Sequence, residues 1–229
     1  VTTFVFMHVG ADPMVAYLVL SIRMRMPSAQ VVQCSDAATP AAPGVDRVFR
    51  HDGDARRLMT FRMEAFAALG LSTPAVYVDS DMLLIRPPPV AALLGGNDAV
   101  LCRRSAGRDE PFNTRLLGLD FSEYEGMTMD EVYPYLACFT VARDAGFWAR
   151  CRDVLASLDP KFHLWYGDQE ALRRVAQDPG VRCGTVEEKL SACLPEAAGG
   201  GNEPWLLHFK GKRRKALMRD LAAKLLARR

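Results

Sequence analysis

The chain has 229 residues, of which 49% are apolar and 24% charged, with a formal net charge of +2. That length suits one sizeable α/β domain or two small ones. The composition excludes a disordered polyelectrolyte, and the lack of any window near about 18 unbroken apolar residues excludes a transmembrane helix. Six cysteines, at 34, 102, 138, 151, 183 and 193, form no C-x-x-C pair. They read as reduced thiols of a cytosolic protein rather than a zinc site or disulfide framework. No secretory leader is expected after Val1. Between Lys210 and Arg229 nine Lys/Arg face one acid, Asp220. A basic tail on a net-acidic body points to an anionic partner near that end.

In chain order, residues 3–9 (TFVFMHV) read as a buried strand. Asp12-Pro13 then opens a helix to about Met26, with the aspartate as N-cap and the proline in the first turn. Strands follow at 29–36 and 46–51, separated by an Ala/Pro-rich loop at 37–44. Residues 55–70 make an amphipathic helix whose Leu58, Phe61, Ala65, Phe66 and Leu69 share a face. Arg62 projects into that same arc. AVYVDSD (75–81) is the strongest internal strand, stopped by the prolines of RPPPV. DAVLCRR (98–104) is another strand, and 105–135 an irregular polar insertion. Strand character resumes at 136–143, followed by a helix at 144–158 with Trp148 on its apolar stripe. A helix follows Asp168, with a strand at 181–188. The run 197–201 reads as flexible and WLLHF (205–209) as short and apolar. From Lys212 the tail is helical. Alternating strands and helices predict an α/β fold: a mainly parallel sheet with helices on both faces, in a single domain.

The stretch VYVDSDMLLIRP (76–87) carries the chemistry. Residues i and i+2 of a strand share a face, so Asp79 and Asp81 are expected to aim two carboxylates at one point. Open α/β sheets bind ligands at the carboxyl ends of their strands. A hard divalent cation relieves the repulsion between two such acids, and Mg²⁺ or Mn²⁺ keeps positions open for phosphates. The bland alternative makes both aspartates turn residues. Arg62 either snorkels to the surface or meets a buried anion. His208 offers an imidazole, Gly211 a close backbone approach to phosphate, and Lys210, Lys212, Arg213 and Arg214 positive charge. Asp168 reads as a helix N-cap, a ligand-facing acid, or both. Trp165-Tyr166 either stack on a sugar or pack. His8, His51 and His163 read as structural.

Four segments give a resemblance. VGADPMVAYLVLSI (9–22), MTFRMEAF (59–66), VYVDSDMLLIRP and WLLHFKGKRRK (205–215) together resemble the nucleotide-sugar glycosyltransferases of GT-A fold, closest to glycosyltransferase family 8. Val15 stands where that family usually has a tyrosine, Ala137 where it often has an asparagine. Arg214 replaces the lysine six after the histidine, with Lys212 and Lys215 as alternatives. The resemblance implies a metal-dependent transfer of sugar from a nucleotide-sugar, UDP-linked, to a glycan, lipid-linked or other acceptor. It implies Asp79, Asp81 and His208 as ligands of Mn²⁺ or Mg²⁺. Asp12, Arg62, Asp79, Ser80, Gly211, Lys212 and Arg214 would hold the sugar-nucleotide, and Asp168 and Gln169 would position the sugar. Residues 1–104 would form the nucleotide-binding half, 105–211 the acceptor side and 212–229 a basic helix. No nucleic-acid partner is expected. The tail either docks through Leu217, Leu221 and Leu225 or lies on an anionic membrane surface, so the place of action reads as cytoplasmic, at the inner membrane face. The rival readings are a haloacid dehalogenase-type phosphohydrolase and a non-catalytic sugar-nucleotide-binding protein.

Overall fold

The computed structural model describes residues 1–199 and 203–226, with side chains through residue 224. In chain order the elements are β1 (Thr3–Met7), α1 (Val15–Arg25), β2 (Gln30–Ser35), β3 (Arg47–Arg50), α2 (Leu58–Ala68), β4 (Ala75–Val78), β5 (Met82–Leu84), α3 (Val90–Leu94) and β6 (Ala99–Arg103). The short strands β7 (Arg115–Leu116) and β8 (Leu119–Asp120) precede α4 (Met129–Val132), β9 (Tyr135–Ala142), α5 (Ala145–Ala156), α6 (Pro160–Leu164) and α7 (Gly167–Gln177). The chain continues through β10 (Cys183–Glu187), α8 (Glu188–Ser191), β11 (Leu206–His208) and α9 (Lys212–Leu226).

Seven strands form one sheet in the order β10-β6-β9-β4-β1-β2-β3. β1 pairs in parallel with β2 and β4, β2 with β3 and β6 with β10, while β9 runs antiparallel between β4 and β6. The fold is the α/β sheet that the alternation of elements predicts, with this one strand reversed. The reversal matters: it brings the start of β9 to the same rim as the carboxyl ends of β4 and β6. One sheet face is covered by α2, α5 and α7 around Phe61, Phe66, Trp148 and Leu172; the other by α1 and α3 around Leu18, Ile22 and Leu94. Trp148 is fully buried against Phe66 and Tyr77. All six cysteines are free thiols.

Three local expectations need correction. First, β4 ends at Val78, and Asp79-Ser80-Asp81 is a turn between β4 and β5. Second, Asp12 does not cap α1. Its Oδ1 accepts the Met14 N–H at 3.0 Å, closing a turn ahead of the helix, and Met14 stands at the cap position. Third, the cap of α7 is Tyr166, in the left-handed region at φ 62°, so Asp168 lies inside the first turn. The 105–135 insertion is also less polar in effect than its composition suggests. Phe112, Phe121, Val132 and Tyr133 are buried in the main core.

α9 docks as expected, with Leu221 among its contacts but not Leu217. Met218 and Ala222 are buried against Leu83, Leu207 and Phe209 with Leu221 packed beside them, while Leu217 is 50% exposed. The helix starts at Lys212 directly after Gly211, and that phase turns positions 218, 221 and 222 inward. The Leu225 side chain lies outside the described residues, as do residues 200 and 201 of the run read as flexible. No helix among the described residues is long and apolar enough to cross a membrane.

Candidate functional site

Two hydrogen-bonded strands assemble the site. β5 pairs antiparallel with β11 in a register that sets Met82 opposite His208. Asp79 N–H donates to the Cys138 carbonyl at 3.1 Å, which ties the turn to β9. The Phe209 N–H donates to the Asp81 carbonyl at 2.9 Å, which ties it to β11. Backbone pairing therefore brings a histidine from late in the chain to the acidic turn. Asp79, Asp81 and His208 each offer a ligand atom, and these atoms lie within 4.8 Å of one another. His208 Nε2 is 3.3 Å from Asp81 Oδ1 and 3.7 Å from Asp79 Oδ2.

His208 is buried, and its Nδ1 has no hydrogen-bond partner. Burial opposes charge on the ring, while Cys138, Asp81 and Asp79 favour it, and the imidazole is pushed up to about 10. Burial alone would raise the Asp81 carboxyl, but its bond to His208 holds it below the usual carboxylate range. Two carboxylates and one imidazole suit a hard or borderline divalent ion such as Mg²⁺ or Mn²⁺. The three ligand atoms, within 4.8 Å of one another, are close enough to share one ion. The orphaned Nδ1 costs free energy, and Nε2 is the ring nitrogen that faces the two carboxylates.

Arg62 does not snorkel. Its Nη2 donates to Asp79 Oδ1 at 2.7 Å and its Nη1 to Asp168 Oδ2 at 2.9 Å. Burial opposes its charge, but Asp79 and Asp168 hold its pKa above the ordinary guanidinium value. One guanidinium thus orients the first acid of the turn and joins it to α7. Burial pushes the Asp168 carboxyl up, Arg62 pulls it back and Asp79 pushes it up further, leaving it above the usual range. Asp168 Oδ1 also accepts the Gln169 N–H. These groups line one cleft of about 520 Å³ that also includes Arg104, Leu116, Ala137, Cys138, Trp165, Tyr166 and Lys210.

The other sequence-predicted residues fall as follows. Ser80 is partly buried at the apex of the acidic turn. Gly211 adopts φ 86°, a conformation that glycine takes at no steric cost and that starts α9. Lys212 is exposed. Arg214 is not at the cleft: its guanidinium bonds Glu196 and donates to the Lys210 carbonyl at 3.2 Å. Lys215, one helical position on, ion-pairs with Asp12 Oδ2 at 2.7 Å, and its charge is felt at Asp81. The structure thus brings Asp12 and Lys215 together, and turns Arg214 away.

The residues that sequence reading missed are long-range partners. Arg104, at the end of β6, donates to Gln169 Oε1 at 3.2 Å. Glu188, fully buried, accepts the Ser105 and Ala106 N–H groups and lies 3.4 Å from Lys210 Nζ. The only sequence signal for either was a charged residue beside an apolar run. His51 bonds Glu64 and His163 bonds Thr60, consistent with structural roles.

No family model matches the chain, and no curated protein matches it in sequence. Solved structures do match in fold. The bifunctional glycosyltransferase WbbM, in its apo structure, aligns at a TM-score of 0.59 and 13% identity, over 92% of this chain and 46% of WbbM. The galactosyltransferase LgtC, solved with donor and acceptor sugar analogues, aligns at 0.58 and 14% identity, over 97% of this chain and 95% of LgtC. The glycosyltransferase GlyE of Streptococcus pneumoniae aligns at 0.59 and 12% identity, over 96% of this chain and 59% of GlyE. The chain thus spans about half the length of WbbM and GlyE and nearly all of LgtC. At such identities the likeness is one of fold, and the fold is that of the GT-A glycosyltransferases.

Proposed function

We propose that the protein is a metal-dependent glycosyltransferase that takes a sugar from a nucleotide-sugar, UDP-linked, and passes it to a glycan or lipid-linked acceptor. One observation carries this reading: Asp79, Asp81 and His208 converge within 4.8 Å at the rim of a GT-A sheet. Asp79, Asp81 and His208 would hold Mn²⁺ or Mg²⁺. When bound, such an ion supplies Lewis-acid charge to a departing diphosphate.

The chain's own residues supply the rest. Arg62 keeps Asp79 turned to the site and Asp168 turned to the cleft. Asp168 and Gln169 position the transferred sugar. Lys215, rather than Arg214, adds positive charge beside Asp12 that is also felt at Asp81, and fixed charge aimed at developing negative charge lowers the barrier. Gly211 and Ser80 let backbone approach the phosphates, and Asp12 faces the nucleoside. Residues 1–104 serve as the nucleotide-binding half and 105–211 as the acceptor side. The exposed Lys212, Arg213, Arg219 and Lys224 of α9 leave its basic face free for an anionic membrane surface.

A thermal-shift screen of nucleotide-sugars, with and without Mn²⁺, tests the proposal, because a ligand that binds only the folded state raises the melting point. The expected result is a metal-dependent rise with a UDP-sugar, followed by release of UDP on adding acceptor. No shift with any nucleotide would overturn it. A shift without turnover would instead favour a binding protein.

A further inference from the structure

The cations around the cleft differ in how their charge is met. Arg62 is paired with two carboxylates, Lys210 with Glu188 and Lys215 with Asp12. Arg104 is the exception. It is 6% exposed and lines the cleft. Its Nε donates to the Tyr133 carbonyl at 3.1 Å and its Nη2 to Gln169 Oε1 at 3.2 Å, both neutral acceptors. Among the described residues it makes no ion pair. Its Nη1 has no hydrogen-bond partner there and is not sealed from solvent. The next residue back, Arg103, is already paired with Asp130.

A guanidinium this buried is costly without a counter-ion. Arg104 is also held rigidly. Its backbone N–H donates to the Pro134 carbonyl at 2.8 Å, and the Tyr133 bond fixes the fork. Pre-set, without a counter-ion and open to the cleft through Nη1, the guanidinium can donate a charge-assisted hydrogen bond to a carboxylate. Its place relative to the chemistry is set by a connected series of bonds: Asp79 to Arg62, Arg62 to Asp168, Asp168 to the Gln169 backbone, and the Gln169 side chain to Arg104. The metal-ligand turn stands at one end of that series and Arg104 at the other.

We propose that Arg104 recognises the carboxylate of an acidic sugar, so that the cleft prefers a uronic acid, as the transferred sugar or as the acceptor, over its neutral counterpart. This rests on the glycosyltransferase reading above. Gln169 then has a second task, holding the fork in place while its neighbour Asp168 faces the sugar.

Calorimetry on the full chain with Mn²⁺ tests this in two arms, with UDP alone as reference. The donor arm compares UDP-glucuronate with UDP-glucose. The acceptor arm, with UDP and Mn²⁺ present, compares methyl glucuronide with methyl glucoside and glucose 6-phosphate. In one arm the carboxylate ligand is expected to bind about tenfold or more tightly than its neutral partner, the size of a charge-assisted hydrogen-bond contribution. Arg104→Gln, checked for fold by circular dichroism, is expected to erase the preference, and Arg104→Lys to leave part of it. If UDP binds but neither arm discriminates, if only the phosphate is preferred, or if the preference survives Arg104→Gln, the assignment to Arg104 is overturned alone. If UDP with Mn²⁺ does not bind at all, both it and the glycosyltransferase reading are overturned.

Discussion

Two sides of one cleft are built by different physics. On the β4–β5 side, charged and hydrogen-bonding groups are cross-linked at close range: Asp79, Asp81 and His208 around one point, Arg62 bridging to Asp168, Lys215 paired with Asp12. On the far side, residues 105–135 are held by rings. Phe112 meets Tyr124, Tyr133 and Tyr166 at centroid distances of 5.4, 5.6 and 5.3 Å, and Phe121 meets Phe162 and Tyr166 at 5.6 and 5.5 Å. Charge fixes a few atoms in space and does so at a cost in desolvation. Aromatic packing fixes a whole segment through buried area and edge-to-face contact. The first is suited to holding an ion and a diphosphate, the second to shaping a wall. Tyr166 joins the two, since it packs against Phe112 and Phe121 and stands at the start of the helix that carries Asp168 and Gln169.

This contrast is open to direct attack. The largest effect is expected on the charged side. Asp81→Asn should lower turnover by about a thousandfold or more, as removal of charge stabilisation worth several kcal/mol requires, while circular dichroism and melting stay close to those of the parent. Unchanged turnover would remove the acidic turn from the chemistry. On the aromatic side the expected loss is of stability. Phe112→Ala should cost about 3 to 5 kcal/mol of stability by urea unfolding, because a ring set among those of Phe121, Tyr124, Tyr133 and Tyr166 leaves a cavity. A loss under about 1 kcal/mol would show that the segment is not part of the core.

A smaller effect separates neighbours on α9. Lys215→Met should weaken UDP binding with Mn²⁺ by about tenfold, the size of a charge-assisted contact, and more than Arg214→Met does. Stability should change little in either case, since both ion pairs are partly exposed. Equal effects on binding would mean that the phase of the helix does not select the binding residue. The smallest effect concerns His8, buried at the end of β1, whose pKa burial holds below the ordinary 6.5. Its folded pKa lies below the unfolded one, so its neutral form favours folding above pH 6.5, and that contribution is lost as pH falls below 6.5. Urea midpoints measured downward from pH 7 should decline less steeply for His8→Gln than for the parent, and parallel declines would exclude His8.

How much of this was readable from the sequence depended on the range of the interactions. Asp79 and Asp81 stand out because two acids ending an apolar run have few reasons to be there. Arg62 stands out because helical periodicity puts a charge on a buried arc. His208 was legible through a short motif, although what brings it to the acids is the β5–β11 pairing, which no local pattern encodes. The strand itself was misjudged. Its apolar run does not reveal that the sheet ladder ends at Val78 and hands Asp79 N–H to β9. Helix phase is equally invisible locally, which is why Lys215 rather than Arg214 reaches Asp12 and why Met218 and Ala222 dock while Leu217 is exposed. Arg104–Gln169 and Glu188–Lys210 join segments far apart in the chain and leave no mark in either segment alone. The insertion at 105–135 looked polar because its buried rings are spaced without a helical or strand period.

We propose that one divalent ion sits between Asp79, Asp81 and His208. It is tested most directly by titrating Mn²⁺ into the protein in the presence of UDP and following free Mn²⁺ by electron paramagnetic resonance. One saturable site is predicted in the parent chain, weakened in His208→Ala and lost in Asp81→Asn while both variants remain folded. Mn²⁺ binding that both substitutions leave untouched, or no saturable site in the parent, would contradict it.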